Sequence, residues 1–229
     1  MTVEDLKRQA GDYAAEFVRD GQIVGLGSGS TARYATLRSD ELLREGSLRG
    51  ILAIPTSNET AALAQREGIP LTTLEEHPVV DITLDGADEI DPHLNVIKGL
   101  GGFLLREKIV AFATRLEVIV ADGSKWVPRL GTRGPVPVEV VRFGWQNTLR
   151  ALERTGAKPT LRCQNGQPYF TDEGHLIIDC LYEGGIEDPA SLHHILNGIP
   201  GVVENVLFLG MVHRAVIATS EGVRVVERA

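Results

Sequence analysis

Along this chain, short apolar runs alternate with stretches in which apolar residues recur every three or four positions. The first such stretch, 3–19, puts Leu6, Ala10, Tyr13, Ala14, Phe17 and Val18 on one side and predicts a helix. A strand at 23–26 runs straight into Gly27-Ser28-Gly29-Ser30-Thr31, and a helix follows from 31 or 32 to about 45. Next come a short apolar strand at 51–54, ending in Pro55-Thr56-Ser57-Asn58, and a helix over roughly 58–67. After an extended piece near 70–72, the run 79–84 reads as a strand that delivers Asp85-Gly86-Ala87-Asp88-Glu89-Ile90 to its C-terminal end. The bare loop Lys98-Gly99-Leu100-Gly101-Gly102 precedes a helix expected from about 103 to 116. A strand at 118–121 then ends in Asp122-Gly123-Ser124-Lys125.

Strands alternating with helices predict an α/β fold, a doubly wound and mostly parallel sheet of the Rossmann-like kind. Past Lys125 the pattern changes. Gly131-Thr132-Arg133-Gly134-Pro135 reads as a crossing between domains. It leads to a strand at 136–141, a helix over about 145–155 and a strand near 159–163. An extended piece at Tyr169-Phe170, a turn at Asp172-Glu173-Gly174 and a strand at 175–182 follow. Asp188-Pro189 suits the N-cap and first position of another helix, Gly198 suits its end, and 202–208 is one more strand. This β-α-β-β-α-β order predicts a small inserted ferredoxin-like α+β domain at 131–206. Residues 1–130 plus 207–229 are expected to form the Rossmann-like domain, with 214–218 and 223–226 returning to its sheet.

Four successive strands end in polar clusters: GSGST, PTSN, DGADE and ADGSK. In open α/β sheets ligands bind beyond the carboxyl ends of the strands, so clusters along one edge predict a pocket. Composition narrows what that pocket holds. The chain has 229 residues, 43% hydrophobic and 24% charged, with a formal net charge of −8. Such a balance is ordinary for a globular protein and argues against a nucleic-acid or anionic-membrane surface, but not against a phosphorylated small molecule held locally. No apolar run approaches the ~18 residues of a membrane span. The N-terminal stretch carries charges throughout, so no secretory signal is expected there. Cys163 and Cys180 lack C-x-x-C spacing, which makes a reducing, cytoplasmic location the expectation.

The residue types in the clusters point to small-molecule acid–base chemistry. Gly27 to Thr31 offers backbone N–H groups, hydroxyls and a helix N-terminus to an anion; a tight strand–helix turn without a ligand is the plainer alternative. Gly27, Gly29 and Ala32 also satisfy G-x-G-x-x-A, but a dinucleotide site wants an acid at the end of the second strand, where Pro55-Thr56-Ser57 stands. The G-K-[ST] of a P-loop is absent. Asp85 and Asp88 fit a metal pair, turn or cap residues, or catalytic acids. A metal lacks support, because there is no H-E-x-x-H and His77, His93 and His175 are scattered, while His193-His194 reads as solvated. The strand-end position of Asp85 favours a site role. Phe103, Leu104, Val110 and Ala111 lie three or four positions from Glu107, surroundings that desolvate a carboxylate and raise its pKa toward that of a general base. Arg106 and Lys108 flank it, however, and a solvated glutamate that favours the helix dipole fits equally well. Lys98 and Lys125 sit at turns where lysine is ordinarily solvated, yet on the edge that carries the carboxylates. Lysines and hydroxyls facing carboxylates suit a phosphorylated polyol.

Together these stretches carry a resemblance. They are Gly25-Leu26-Gly27-Ser28-Gly29-Ser30-Thr31, Asp85-Gly86-Ala87-Asp88-Glu89-Ile90, Lys98-Gly99-Leu100-Gly101-Gly102, Arg106-Glu107-Lys108 and Ala121-Asp122-Gly123-Ser124-Lys125. Pro135-Val136-Pro137-Val138-Glu139-Val140 and Ile199-Pro200-Gly201-Val202-Val203-Glu204 complete the set. In this order and spacing, over essentially its whole length, the chain resembles the type A family of ribose-5-phosphate isomerases. The resemblance implies reversible interconversion of D-ribose 5-phosphate and D-ribulose 5-phosphate in the non-oxidative branch of the pentose phosphate pathway, without metal or organic cofactor. It implies Glu107 as the base that moves a proton between carbons 2 and 1 through an enediolate. Asp85 would handle hydroxyl protons and ring opening, with Asp88 in support. Lys98 and the amides of Gly99, Leu100 and Gly101 would stabilise the oxyanion. Ser28, Gly29, Ser30, Thr31 and Lys125, with Gly86 and Ala87, would hold the substrate and its phosphate. Many relatives carry threonine where Ser28 stands, and the hydroxyl is retained.

The implied partners are a small-molecule pentose phosphate and further copies of the chain, as a homodimer or homotetramer, with no nucleic acid and no membrane. The competing reading from another class is a non-catalytic sugar-phosphate sensor. Such regulators carry a helix-turn-helix, for which the single helix before residue 23 leaves no room. A nucleotide-dependent dehydrogenase is weakened by the missing acid after the second strand.

Overall fold

The structure, a computed structural model, describes residues 1–228. Its elements begin with α1 (Val3–Ala15), β1 (Ile23–Leu26), α2 (Ala32–Glu45), β2 (Leu52–Pro55) and α3 (Asn58–Glu67). There follow β3 (Val80–Gly86), β4 (Glu89–Ile90), β5 (Val96–Ile97), α4 (Leu104–Phe112) and β6 (Thr114–Asp122). Then come β7 (Val136–Val140), α5 (Trp145–Glu153), β8 (Lys158–Leu161), β9 (Cys163–Gln164), β10 (Gln167–Pro168) and β11 (Leu176–Leu181). The last are α6 (Pro189–Asn197), β12 (Val202–Asn205), β13 (Leu207–Phe208), β14 (Arg214–Thr219) and β15 (Gly222–Glu227). Among the described residues no helix is long and apolar enough to cross a membrane.

The chain forms two compact units. The first comprises Met1–Ala87, Arg106–Lys125 and the residues from Gly210 onward; the second comprises Asp88–Leu105 and Trp126–Leu209. In the first unit a six-stranded sheet runs in the order β15-β14-β6-β3-β1-β2. All neighbouring pairs are parallel except β14 and β15. This is the doubly wound, mostly parallel sheet expected. Alternation along the strands feeds both faces, as a period of two requires. Val24 and Ala53 join a cluster with Ala10 and Ala14 of α1 and Ala35 of α2. Ile23 and Ile54 pack instead with Val80 and with Val110 of α4.

Two helix ends differ from expectation. The apolar pattern of α4 continues to residue 116, but the helix stops at Phe112 and β6 starts at Thr114. Pairing with β3 wins over the helical pattern: Thr114 stands opposite Val80 and Leu116 opposite Ile82. The Thr114 hydroxyl fixes the change of direction, bonding Val110 O at 2.6 Å and Thr83 Oγ1 at 2.7 Å. α1 stops at Ala15 rather than 19, because Phe17 N and Val18 N turn back to the carbonyls of Ala14 and Ala15, tightening the end into a 3₁₀-type turn.

In the second unit an antiparallel sheet runs in the order β12-β7-β11-β8. The chain path β7-α5-β8-β11-α6-β12 is the split β-α-β-β-α-β order expected. Val136, Val138, Ile177, Leu152 and Leu196 share its core. Asp188 caps α6 as its position predicts, accepting from the N–H groups of Ala190 and Ser191 at 3.1 Å each. Gly198 at the other end has φ −82°, so no left-handed turn calls for glycine there.

The expected last strand, 202–208, is two strands serving different sheets: β12 joins β7, whereas β13 pairs with β5 beside β4. Residues 131–135, expected as the crossing between domains, lie inside the second unit. Glu89, only 2% exposed, holds them there by accepting from the N–H groups of Gly131, Thr132 and Arg133 at 2.7, 3.3 and 2.8 Å. The division expected at 131 and 206 thus differs from the units observed, which place Asp88–Leu105 and 126–130 in the second.

Candidate active site

Asp85 is the centre of the first unit's cluster. It lies near the end of β3, opposite Ile119 of β6, and is fully buried. Its Oδ1 accepts from the N–H groups of Ser28 at 3.1 Å and Gly86 at 2.7 Å. Amide donors favour the ionised carboxylate and hold it in one orientation. Gly27 makes this possible. A methyl group there would stand 2.3 Å from Asp85 Oδ1 and 2.4 Å from its Cα, so only a bare residue lets the loop pass.

The rest of the Gly27–Thr31 loop is divided in its duties. The Ser28 hydroxyl turns inward to a buried set of hydroxyls, 2.8 Å from Thr56 Oγ1, 2.7 Å from Ser57 Oγ and 3.1 Å from Thr60 Oγ1. Here the PTSN cluster at the end of β2 is explained: it supports the glycine loop, in the place where a dinucleotide site would carry an acid. Gly29 and Ser30 are exposed, and Gly29 has φ +98°. Thr31 is buried at the N-cap of α2 and makes no side-chain cap bond there. A pocket beside the loop is lined by Gly27, Gly29 and Thr60 and by the cationic Arg33 and Arg66.

Glu107 lies in the first turn of α4 and is 4% exposed, with Lys108 at 7% beside it. The solvated alternative for Glu107 is therefore not what forms. Arg106 instead reaches Asn58 Oδ1 at 2.9 Å. Lys125 closes a one-turn 3₁₀ helix after β6 and is half-buried. Gly86 and Ala87 are partly exposed.

The second unit holds the lysine loop. Lys98 is 2% exposed, and its ammonium stands 5.7 Å from the centre of the Phe208 ring, a cation–π distance. Gly99 has φ +84°, and a side chain there would meet Val206 Cγ1 at 2.6 Å and Leu104 Cβ at 2.9 Å. Asp88 takes the Leu100 N–H on Oδ2 at 3.0 Å, and its own N–H goes to Ile97 O at 2.8 Å. The Leu100 amide, expected among the oxyanion donors, is thereby occupied by a protein acceptor. Gly99 and Gly101 keep N–H groups that no described group accepts.

Sequence reasoning missed several residues that build these parts. Thr60 completes the hydroxyl set that Thr56 and Ser57 of the PTSN cluster begin, and Arg33 lies two positions past the glycine loop; only the place of Thr60 and Arg33 near recognised clusters signalled them. Arg162, which bonds the carbonyls of Gly99 and Leu100, is far away in sequence and carried no signal. Among the described residues no group of three or more His, Cys, Asp or Glu is gathered to hold a metal ion.

The sequence profile described as Ribose 5-phosphate isomerase A (phosphoriboisomerase A) matches residues 52–222. The ribose-5-phosphate isomerase A of Gloeobacter violaceus is 51% identical over 226 residues, 98% of this chain and 97% of its own. The chain belongs to the ribose 5-phosphate isomerase A family. The ribose-5-phosphate isomerase A of Roseiflexus castenholzii is 50% identical over 218 residues, 95% of this chain and 93% of its own. Among solved structures, the ribose 5-phosphate isomerase of Plasmodium falciparum superposes with a TM-score of 0.95 at 38% identity, covering 98% of both chains. A D-ribose-5-phosphate isomerase in complex with phospho-erythronic acid superposes with a TM-score of 0.96 at 37% identity, covering 100% of both.

Proposed function

We propose that this member of the ribose 5-phosphate isomerase A family interconverts D-ribose 5-phosphate and D-ribulose 5-phosphate. The observation that carries the reading is the full-length match to relatives bearing that activity's name. The chain also buries the carboxylates that such a proton transfer needs, Asp85 and Glu107. Phospho-erythronic acid, bound by a family member, joins a carboxylate to a phosphorylated polyol, so its two charged oxygens mimic the oxygens of a pentose-phosphate enediolate.

In this mechanism Asp85 takes and returns the hydroxyl proton that opens the furanose ring. The amides of Ser28 and Gly86 keep its carboxylate aimed while it does so. Glu107 then removes the proton from carbon 2 of the open chain and delivers it to carbon 1, with the cis-enediolate in between, while Asp85 moves the hydroxyl proton from oxygen 2 to oxygen 1. A carboxylate withdrawn from water is a stronger base toward such a proton than a solvated one. Lys98 and the N–H groups of Gly99 and Gly101 meet the negative charge that grows on the oxygen. Asp88 acts through the loop by fixing the Leu100 amide. Ser30, Thr31, the Gly29 amide and Lys125 take the phosphate and the remaining hydroxyls, and Ser28 acts through Asp85, to which its N–H is bonded. Gly86 and Ala87 line the substrate's path.

Association into a homodimer or homotetramer belongs to the same reading. A reducing, cytoplasmic setting is supported by the two free cysteines. The test is to add ribose 5-phosphate to the purified chain in EDTA and follow ribulose 5-phosphate by NMR. Turnover is the expected result. A chain that binds the sugar phosphate and leaves it unchanged is a sensor, and the isomerase reading fails.

A further inference from the structure

Arg162 follows β8 and is given no part by the family resemblance. Asp179, on the neighbouring β11, grips its guanidinium in a two-pronged ion pair, with Nε on Oδ2 at 2.9 Å and Nη2 on Oδ1. Both side chains are largely buried, 14% and 21% exposed. The remaining prong, Nη1, donates at 3.0 Å to Gly99 O and at 3.0 Å to Leu100 O. Tyr169 adds to this shelf: its hydroxyl donates to Gly101 O at 3.4 Å, and its ring centre lies 6.0 Å from the guanidinium carbon. Carbonyls of three consecutive residues, 99 to 101, are thus held by side chains of the same unit.

A trans peptide is planar, and its C=O and N–H point in opposite directions. Holding Gly99 O on Arg162 therefore aims the Leu100 N–H away from Arg162, where Asp88 Oδ2 receives it. Holding Leu100 O on the same nitrogen aims the Gly101 N–H away as well, and no described group accepts that one. An arginine already clamped by a carboxylate loses little further freedom when it holds the loop. The geometry points to Arg162 as a positioning residue: locked by Asp179, it orients the Gly99–Gly101 peptides so that the Gly101 N–H is preset to receive the enediolate oxyanion. This rests on the isomerase reading of the Lys98 loop.

Preset donors matter most where charge develops, so the role predicts a loss in turnover rather than in substrate binding. The experiment measures kcat and KM for ribose 5-phosphate and affinity for phospho-erythronic acid. It compares wild type with Arg162→Met, Arg162→Lys and Asp179→Asn, each checked for folding by circular dichroism. Arg162→Met is expected to lose about 10–100-fold in kcat, less than the ~10²–10³ for deleting an oxyanion donor outright. Its KM should stay within about 3-fold, while affinity for phospho-erythronic acid falls in step with kcat/KM. Arg162→Lys should recover part of the rate, and Asp179→Asn should lose less than Arg162→Met.

A folded Arg162→Met chain with wild-type kcat overturns the inference. So does one whose activity falls only as far as its folded fraction, or whose KM rises while kcat holds. Wild type without any turnover overturns the isomerase reading and this inference with it, an outcome plainly separate from a defect confined to the variants.

Discussion

Gly27→Ala tests how the fold fixes Asp85. The added methyl would lie 2.4 Å from the Asp85 Cα and 2.3 Å from its Oδ1, against the ~3.5–4.0 Å of an ordinary carbon contact. The obstructing Cα is backbone within β3, so relief requires the loop or the strand to move by about an ångström. Such a shift stretches the Ser28 N–H to Asp85 bond from 3.1 Å and the Gly27 N–H to Leu84 O bond from 2.9 Å, out of hydrogen-bonding range. Overpacking costs about 1–3 kcal/mol, and the two bonds, one to a charged group, about 2–4 kcal/mol together. Partial relaxation leaves a net loss of about 3–5 kcal/mol, which lowers the Tm of a chain this size by about 6–20 °C. An ångström of displacement at Asp85 should also cost on the order of 10²-fold in kcat.

The control is Gly29→Ala, where φ is +98° but nothing lies within 4 Å of the new methyl. In stability it should show only backbone strain, about 1–3 kcal/mol, so the comparison between the two variants is made on Tm. Thermal unfolding by circular dichroism and an isomerisation assay read both variants. A Gly27→Ala chain with wild-type Tm and kcat, or one less damaged than Gly29→Ala, would refute the close-approach argument.

Two further outcomes are expected. Burial lifts the Cys180 thiol from 9.0 to about 12, whereas Cys163 is exposed. A thiol reagent should therefore label Cys163 in the native protein and both cysteines after denaturation; rapid native labelling of Cys180 contradicts this. The folded pKa is the raised one, so the stability it supports is complete below pH 9.0 and erodes as pH climbs toward about 12. Glu139 is 1% exposed, and burial raises its pKa above 4.5 despite bonds from Thr171 and His175 at 2.9 Å each. Its stabilising contribution is full below pH 4.5 and shrinks as pH rises through the raised value. The Tm of wild type minus that of Glu139→Gln should accordingly fall as pH is raised above 4.5, and a constant or rising difference contradicts it.

What could be read from the sequence was mostly what neighbours in sequence decide. α3, expected over roughly 58–67, forms at Asn58–Glu67, where the Ser57 hydroxyl accepts from Thr60 N and Gly68 is left-handed. Period-two strands and helical spacing were enough for the doubly wound sheet and for the β-α-β-β-α-β unit. β4 and β5 escaped because two residues show no period, and the pairing of β5 with β13 spans more than a hundred positions. The end of α4 was misjudged because strand pairing, which no local pattern encodes, outweighed helical spacing. In the candidate site, residue types were legible and duties were not. Gly27 read as part of an anion cradle, while its lack of a side chain is demanded by Asp85. Glu89 read as a member of the acidic cluster, and it ties down residues 131–133. The side chains that hold the lysine loop, Arg162 and Tyr169, lie sixty or more positions away from it.

The proposed mechanism requires Glu107 to carry the proton between carbons 2 and 1. It is tested most directly by isomerisation of ribose 5-phosphate with wild type and Glu107→Gln, alongside substrate binding by calorimetry. The amide keeps the shape and removes the base, so kcat should fall by about 10²–10⁴-fold while the variant still binds ribose 5-phosphate. Near-normal turnover by a folded Glu107→Gln chain would contradict the account, because another group would then be moving the proton.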